Sequence, residues 1–585
     1  MKRAASSSSS MMLLACLLVY RSILIHYSPI MDCDEVYNYW EPLHFMLFGS
    51  GMQTWEYSPE YSLRTFAYLT PLYLVGRGML WIRSTMDKVM LFKVLRSSLA
   101  GVTGWAEFEV FNALLESPGI DDLNAYVYLS FSLISPGMFH ASGALLPSST
   151  AMQMVMFSVA QLIRSFDGGA QQIYCIRNAI FIGLCATLAI GWPFCALCWI
   201  PCGLYAVWVH YTKSDRTSYV SNIVRLLCRT LAHAIVIQIL VTAIDFVHYQ
   251  KLTIPSLNIF LYNTGSSGGD ELYGVEAWTY YLKNLLLNFN VIVLLSIASI
   301  PLLIWDFGWA KTFSFTANQT RLLQMHVLSS LFCWMLVIGV RPHKEERFVF
   351  PVYSLFCVSA AETLTSMLRR FSNLLKANVR YGNDILGKML FLCVLILCSL
   401  ISTSRILALH HYYGAPIEIY SSLFERMKLV QASSSRSNMH LCVGGEWYRF
   451  PSSFFLPDSL QLSYLPSSFK GQLPQPFPPG GVSVDPAGPF NDKNREEESR
   501  YVSGGVNSCA FLIELVFEHD RKSSDSVSSI LDEMKADVTG TWKNIENRPF
   551  LNAEGTSVLV RSLYLPFASQ TAAMGQYQLF AKTFF

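Results

Sequence analysis

Long apolar runs alternate with short polar segments over most of the first 410 residues. Most runs are close to the 20 or so residues that an α-helix needs to cross a bilayer, and several contain Gly, Pro or a polar residue. The pattern predicts an all-α polytopic membrane protein with about 11 transmembrane helices. The clearest runs are residues 11–30, 66–82, 126–139, 176–209, 226–247, 285–304, 322–340, 348–368 and 389–409.

Composition supports this fold class. Only 14% of the 585 residues are charged, against about a quarter in soluble domains. The net charge of +2 is spread over many loops without a long Lys/Arg run, so no nucleic-acid partner is predicted. Most of the 14 cysteines lie in apolar runs, where a thiol packs as a small hydrophobe. Cys442 and Cys509 lie in the polar tail and could pair in an oxidising lumen.

Loop charge predicts the orientation in the membrane. Residues 369–388 carry five Lys or Arg and one acid, which is typical of a cytosolic loop. Alternation then places loops 31–65 and 252–284 in the lumen and Asn318, in an Asn-Gln-Thr sequon, in the cytosol without a glycan. We therefore expect a transmembrane catalytic domain at 1–410 and a lumenal C-terminal α+β domain at 411–585. Strand-like pieces are predicted on either side of its Pro/Gly-rich segment 473–491, and examples are 509–517 and 556–564.

The first candidate site follows the first apolar run and reads DCDEVYNYWEP from Asp32. Adjacent residues point in different directions, so of Asp34 and Glu35 one is expected to be a catalytic base and the other a positioning group. Solvated loop acids and an interfacial aromatic belt are the alternative explanations. Pro42 and Gly49 predict a short helix at 42–48. Further candidates for substrate contact are Tyr37, Trp40, Glu41, His44, Trp55, Glu56 and Tyr57.

The second candidate site is RPHKEER, residues 341–347. Guanidinium and ammonium groups at a membrane face suit a phosphate at the headgroup level, although a cluster at the end of a span would also be basic. The candidates for donor phosphate binding are Arg341, His343, Lys344 and Arg347.

Two weaker signals accompany these sites. The loop 261–284 contains Asp270, Glu271 and several Tyr and Trp, so it could contact a sugar, although a flexible surface loop is the simpler interpretation. Arg21 and His26 lie inside the first apolar run, where facing lipid is costly, and we expect them to face the protein interior or a cavity.

A carboxylate base and a cationic clamp together suit group transfer from a lipid phosphate. The clamp would stabilise charge on the leaving phosphate while the carboxylate takes the proton of an attacking hydroxyl. No DxD motif or His/Asp metal spacing is present, so no metal site is predicted.

Four segments resemble a known family: residues 34–69 (DEVYNYWEPLHF and onward), 342–355 (PHKEERFVFPVYSL), 445–457 (GEWYRFPSSFFLP) and 489–502 (PFNDKNREEESRYV). They are similar to the dolichyl-phosphate-mannose-dependent mannosyltransferases of glycosyltransferase family 22, and most to the α-1,2 enzymes of the N-glycan pathway. The resemblance implies glycosyltransferase fold C and an endoplasmic reticulum membrane enzyme with a lumenal site.

The resemblance also implies the reaction. Mannose would pass, without metal or other cofactor, from dolichyl phosphate mannose to a mannose 2-hydroxyl of the dolichyl-pyrophosphate-linked oligosaccharide, with inversion. Asp34 or Glu35 would be the base, with Asp34 favoured, and His343, Lys344 and Arg347 would face the donor phosphate.

Three alternatives remain open. A GPI-anchor precursor mannosyltransferase of the same family would share both site motifs. A polytopic transporter would share the interrupted helices, but it would be expected to bind near the bilayer midplane and often to show repeated halves. A scaffold protein could carry the same charges without chemistry.

Overall fold

The computed structural model describes residues 7–265, 274–308, 319–378, 383–431, 439–478, 490–517, 526–537 and 541–582. Some sequence predictions lie outside these ranges. They are the sequon at Asn318, the acids Asp270 and Glu271, and most of the Pro/Gly-rich segment 473–491.

Within the described ranges, seven helices are long and apolar enough to cross a membrane, or eight if the bent pair Tyr280–Phe289 and Val291–Trp305 is one span. The number of about 11 stays a prediction. Some predicted runs fold into shorter helices: Pro136 divides the run 126–139 between Asp122–Ile134 and Pro136–Ala141. The candidate spans are Ser8–Tyr27, Gln172–Ala189, Pro193–Lys213, Ser218–Tyr249, Gln319–Val340, Glu346–Ser372 and Gly387–Tyr413.

Backbone contacts divide the chain into two compact units. The membrane unit comprises Met1–Ile25, Ser97–Ala243 and Pro255–Thr403. The loop–tail unit comprises His26–Arg96, Ile244–Ile254 and Ser404–Phe585. The loop 31–65 and the tail therefore belong to the same unit, although a long stretch of sequence separates them. The predicted boundary at residue 410 marks where the chain leaves the membrane for the last time. Units defined by backbone contacts do not test it, so it stays a prediction.

The membrane unit is built from helices around Tyr353–Asn378, which packs against Val291–Gly308 and Asp122–Ile134. This helix forms the interior of the unit: in the 18-residue apolar window of the span Glu346–Ser372, 94% of the residues are buried. The unit's other helices include Ser7–Leu24, Pro147–Ser165, Gln172–Leu184, Ile200–Lys213, Pro255–Thr264, Tyr280–Phe289 and Gln319–Val340, with Lys88–Glu116, Arg216–Tyr249 and Asn383–Tyr413 extending into both units.

Arg21 lies inside the membrane unit, as predicted, and is 1% exposed. Its guanidinium forms an ion pair with Glu107, with Nε donating at 3.0 Å, and also donates to the backbone oxygen of Ser132 at 2.9 Å. Burial of the charge is tolerated because the guanidinium is paired with a carboxylate and hydrogen-bonded through Nε and one terminal nitrogen. The expectation for His26 is wrong: it is exposed, because it lies in the turn Ile25–Tyr27 after the helix has ended.

The loop–tail unit contains a mixed five-stranded sheet in the order β3-β2-β5-β7-β6. Strand β2 is parallel to β3 and β5, whereas β7 is antiparallel to β5 and β6. A second, two-stranded sheet pairs β1 with β4 and so joins the loop to the tail. The strands are β1 Met52–Gln53, β2 Met439–Val443, β3 Leu460–Tyr464, β4 Gln475–Pro476, β5 Cys509–Val516, β6 Trp542–Leu551 and β7 Met574–Lys582.

The predicted strand 509–517 is confirmed as β5, and all of its residues are buried. The predicted strand 556–564 is wrong, because this segment contains the helix Val558–Ser562. Strands β6 and β7 pair directly with each other, with Leu551 opposite Met574, so the residues between them form a connection outside the sheet. The other described tail helices are Ala415–Gln431 and Ser526–Ala536.

Candidate active site

The carboxylates of the first site lie on a continuous helical segment. It begins at Cys33–Glu35, where Asp32 caps the first turn by accepting from the backbone N–H of Asp34 at 2.9 Å. A π-helical turn, Val36–Trp40, follows, and such turns are frequent at functional sites. The segment ends with the helix Glu41–Phe48, which confirms the predicted short helix at 42–48.

Two glycines after this helix have specific roles. Gly49 ends the helix in the left-handed conformation, with φ 74°, which a residue without Cβ adopts at no steric cost. Two residues later, a Cβ on Gly51 would lie 2.6 Å from the backbone oxygen of Glu41. The chain can therefore turn back against its own helix and enter β1 only with glycine at position 51.

Asp34 and Glu35 differ in their surroundings, as different roles would require. The side chain of Glu35 is buried and accepts a hydrogen bond from the indole Nε1 of Trp40 at 2.9 Å. Asp34, one residue earlier and about 100° around the helix axis, is half-buried. Glu35 is thus held in place inside the loop, and Asp34 retains access to solvent.

Arg64 is a neighbour of these acids that sequence reasoning missed. Its guanidinium forms a two-bond ion pair with Glu56, at 2.9 and 3.0 Å, and donates to the hydroxyl of Tyr39 at 2.9 Å. Burial opposes the charged form of Arg64, but Glu56, Tyr39 and Asp34 outweigh it and raise its pKa. The only sequence signal was a single Arg in an aromatic loop at the membrane edge, where a cation needs a partner.

Asp32, Cys33 and Asp34 also form a possible ligand set. One ligand atom from each side chain lies within 4.8 Å of the others. Two carboxylates and a thiolate are chemically able to hold a divalent cation, although their donor types are mixed. This set was not foreseen from the sequence, and metal independence stays a prediction.

Glu41 and His44 lie deep in the loop–tail unit. The carboxylate of Glu41 accepts hydrogen bonds from Met52, Ser452 and Ser453. His44 bonds through Nδ1 to the backbone oxygen of Ser50 at 2.5 Å, and burial lowers its pKa to about 3, so its ring is neutral.

The aromatic candidates around them are largely buried as well. Tyr37 donates to the backbone oxygen of Trp447 at 2.8 Å and Tyr57 to that of Asn38 at 2.9 Å. Trp40 is fully buried, whereas Trp55 is half-buried. These contacts stabilise the loop. Contact of substrate with the aromatic side chains, Glu41 or His44 stays a prediction.

The basic cluster lies in the membrane unit, where it follows the helix Gln319–Val340 and extends into the turn Glu346–Val352, which contains Arg347. Lys344 is buried, and its ammonium donates to the backbone oxygens of Arg341 and, at 3.3 Å, of Glu276. His343 and Arg347 are half-buried and both pair with Glu345.

Glu345 organises the charges of this cluster. Burial tends to raise its pKa, but Arg347 and His343 outweigh burial and lower the pKa to about 2, so the carboxylate is ionised. The hydrogen bond from Nε2 to Glu345, 3.1 Å long, in turn raises the pKa of His343 against the opposing effect of burial. The Glu345 carboxylate therefore favours a protonated imidazole, whereas burial and the nearby Arg347 oppose it.

The loop 261–284 meets this cluster. His343 contacts the backbone oxygen of Gly274 through Nδ1 at 2.9 Å, and the backbone N–H of Glu276 donates to the oxygen of Pro342 at 3.1 Å. The structure therefore brings together two segments that the sequence offered as separate candidates. Contact of the loop with a sugar stays a prediction.

Comparison with known proteins identifies the family. Residues 12–457 match the model of the Alg9-like mannosyltransferase family, glycosyltransferase family 22. The chain is 34% identical to the α-1,2-mannosyltransferases ALG9 of Mus musculus and Homo sapiens, over 95% of this chain and 85% of each relative. The structure is also similar to that of ArnT from Cupriavidus metallidurans bound to undecaprenyl phosphate, with a TM-score of 0.50 and 11% identity, covering 78% of this chain and 86% of ArnT. The chain thus belongs to the Alg9-like mannosyltransferase family and is a membrane glycosyltransferase.

Proposed function

We propose that this enzyme transfers mannose from dolichyl phosphate mannose to a mannose 2-hydroxyl of the dolichyl-pyrophosphate-linked oligosaccharide, forming an α-1,2 linkage for protein N-glycosylation. The observation that carries the proposal is the 34% identity to α-1,2-mannosyltransferases over 95% of the chain. The same relatives favour this function over a GPI-anchor mannosyltransferase. Membership of a glycosyltransferase family likewise disfavours a transporter.

In the proposed mechanism, Asp34 is the general base. The acceptor 2-hydroxyl oxygen attacks the anomeric carbon of the β-linked donor, its proton passes to the Asp34 carboxylate, and the bond between that carbon and the phosphate oxygen breaks. Its electron pair leaves with dolichyl phosphate, so the product has the α configuration. Asp34 is the better candidate because it keeps access to solvent, whereas Glu35 is held by Trp40.

The basic cluster supplies the second half of the mechanism. Arg341, His343, Lys344 and Arg347 offer positive charge for the donor phosphate, and a cationic site stabilises the negative charge that grows on the leaving group. Glu345 orients His343 and Arg347 without cancelling the positive charge of the cluster. No step in this proposal requires a metal.

The proposed location is the endoplasmic reticulum membrane, with the active site and the tail in the lumen. The basic loop 369–388 supports this orientation because positive loops remain in the cytosol. Both substrates are anchored to dolichol, which explains why the acids follow a membrane span directly.

The test is transfer in vitro from dolichyl phosphate mannose to a lipid-linked mannosyl glycan, in the presence of a chelator, followed by digestion with an α-1,2-specific mannosidase. We expect a product that forms with chelator and is digested. Transfer that requires added Mn²⁺ or Mg²⁺ would overturn metal independence and implicate Asp32, Cys33 and Asp34. A folded protein that transfers only to a GPI precursor would overturn the acceptor.

A further inference from the structure

The loop–tail unit contains a cavity with both polar and apolar walls, apart from the acids described above. Its volume is about 540 Å³, within the range of about 300 to 1,000 Å³ that small-molecule sites occupy. The walls come from strands β2 and β3, from the β1–β4 pair and from the segment 499–503. Strand residues therefore form about half of the cavity lining, and their paired backbones preorganise that part of the wall.

The chemistry of the walls indicates an uncharged, hydroxyl-rich ligand. His440, Gln461, Ser463, Gln475 and Tyr464 contribute groups that both donate and accept hydrogen bonds. Each sugar hydroxyl has the same dual character and needs a partner of either kind. Among the described residues that line the cavity, none is an Asp or Glu and Arg500 is the single Lys or Arg, so most polar groups of the walls are uncharged.

Several wall groups are already oriented by neighbouring residues. His440 contacts the hydroxyl of Ser463 through Nδ1 at 2.8 Å, which fixes the ring and directs its other nitrogen away from that bond. The hydroxyl of Tyr464 lies 3.4 Å from that of Tyr37. Gln461 is exposed on the edge strand β3 and is therefore accessible to a ligand.

One wall of the cavity is directly connected to the acid-bearing segment. Met52 lines the cavity, and its backbone N–H donates to the carboxylate of Glu41 at 2.8 Å. Tyr37, which contacts Tyr464, lies on the same helical segment as Asp34. Both links lie within the loop–tail unit, so a ligand in the cavity would contact elements that also hold the acids.

We propose that this cavity binds a non-reacting mannose branch of the acceptor oligosaccharide. The proposal rests on the proposed function for the identity of the acceptor. A branched glycan presents several chemically similar terminal mannoses. If one branch is held in the cavity, the orientation of the whole glycan is fixed, and only one of the other terminal mannoses can reach the base. The cavity would therefore determine which branch reaches the base.

The proposal predicts a specific kinetic effect. In the full-length enzyme, Gln461→Ala removes one side-chain partner and is expected to raise KM for the lipid-linked acceptor about fivefold. Ser503→Trp, at the exposed rim, should raise it at least tenfold by narrowing the entrance. In both variants KM for dolichyl phosphate mannose should be unchanged. Gln576→Ala is the matched control, because Gln576 is an exposed glutamine on β7 of the same sheet and does not line the cavity.

A binding measurement separates this proposal from the proposed function. The probe is a free branched α-mannose oligosaccharide without dolichyl pyrophosphate, titrated into the full-length protein and detected by saturation-transfer NMR. Wild type and Gln576→Ala should bind the free glycan with the same Kd. The Kd should be about fivefold higher for Gln461→Ala and at least tenfold higher for Ser503→Trp. This loss would support the cavity even if wild type transferred no mannose, in which case only the proposed function would fail. Equal glycan binding by all four proteins, or displacement of the glycan by inorganic pyrophosphate, would overturn the cavity proposal.

Discussion

The carboxylate of Glu41 accepts hydrogen bonds from both the backbone N–H and the hydroxyl of Ser453, at 2.6 and 2.7 Å, although 412 residues separate the two in sequence. Met52 and Ser452 donate to the same carboxylate, at 2.8 and 2.9 Å. Burial raises the pKa of Glu41, and the bonds from Ser453 act against that shift. A single side chain thus fastens the acid-bearing segment to β1 and to the tail within one unit.

Replacing Glu41 should destabilise the protein more than replacing Ser453. Glu41→Ala leaves the buried backbone N–H of Met52 and the part-buried N–H of Ser453 without this partner, and a buried unpaired group costs about 1 to 3 kcal/mol. Ser453→Ala removes one hydroxyl and keeps the backbone bond, at a cost of about 1 kcal/mol. Thermal unfolding of the purified protein should show the larger decrease in Tm for Glu41→Ala. Glu554→Ala, at an exposed position of the same unit, is the control. Equal Tm values for all three variants would contradict this role of Glu41.

Asp34 and Glu35 should respond differently to loss of charge. Asp34→Asn removes the proposed base and should lower turnover by about 10² to 10⁴, with KM for the donor little changed. Glu35→Gln keeps an oxygen for the indole of Trp40 and should retain most of the activity. Steady-state kinetics with both substrates measures the two effects. If Glu35→Gln loses turnover and Asp34→Asn does not, the two roles are reversed.

Local signals were enough to predict some elements. Pro42 and Gly49 delimit a helix by their own backbone preferences, and the structure confirms it. The segment 556–564 had the composition of a strand, but whether it joins a sheet depends on a partner strand, and β6 pairs with β7 instead. β-Structure is decided by such non-local pairing more than by local propensity.

In the candidate site, too, the sequence revealed the charged groups but not the contacts that form when the chain folds. The acids and the basic cluster were visible as charges in apolar surroundings, which is unusual enough to notice in a sequence. The ion pair between Arg64 and Glu56 depends on how the loop folds back on itself, and the bond from Trp40 to Glu35 spans five residues along the π-helical turn. The spacing rules for α-helices and strands predict neither contact, so both emerged only from the structure.

Donor binding should depend on the protonation of His343. Its hydrogen bond to Glu345 raises its pKa, so the imidazolium persists to a higher pH than that of an ordinary histidine. If it faces the donor phosphate, KM for dolichyl phosphate mannose should increase as the pH rises through this pKa, because the positive charge is lost. In His343→Gln the KM should be higher at low pH and nearly independent of pH. His411→Gln, at an exposed histidine, should keep the wild-type profile, and so should His343→Gln if the ring does not contribute.

Glu514 should make the protein less stable at high pH. It lies on β5 with no solvent exposure, and burial together with the nearby carboxylate of Glu446 raises its pKa well above the ordinary value. A raised pKa favours the protonated form in the folded state, so this contribution to stability is present at low pH and is lost as the pH rises through the folded pKa. Glu514→Gln mimics the protonated form and should raise Tm at about pH 8 but not at about pH 5. A Tm difference that does not change with pH would show that Glu514 does not titrate in this range.

The predicted pair Cys442 and Cys509 forms a disulfide that links β2 and β5 across a sequence separation of 67 residues. Both cysteines are buried beside Leu512 and Ile530. Closing a loop of this length lowers the entropy of the unfolded chain by an amount worth about 4 kcal/mol. The double variant Cys442→Ala/Cys509→Ala should therefore unfold at a clearly lower temperature than wild type, and reductant should lower the Tm of wild type without affecting the variant. Cys393→Ala, at an exposed free cysteine, is the control and should respond to reductant as wild type does. If reductant changes the double variant as much as wild type, the stabilisation comes from another source.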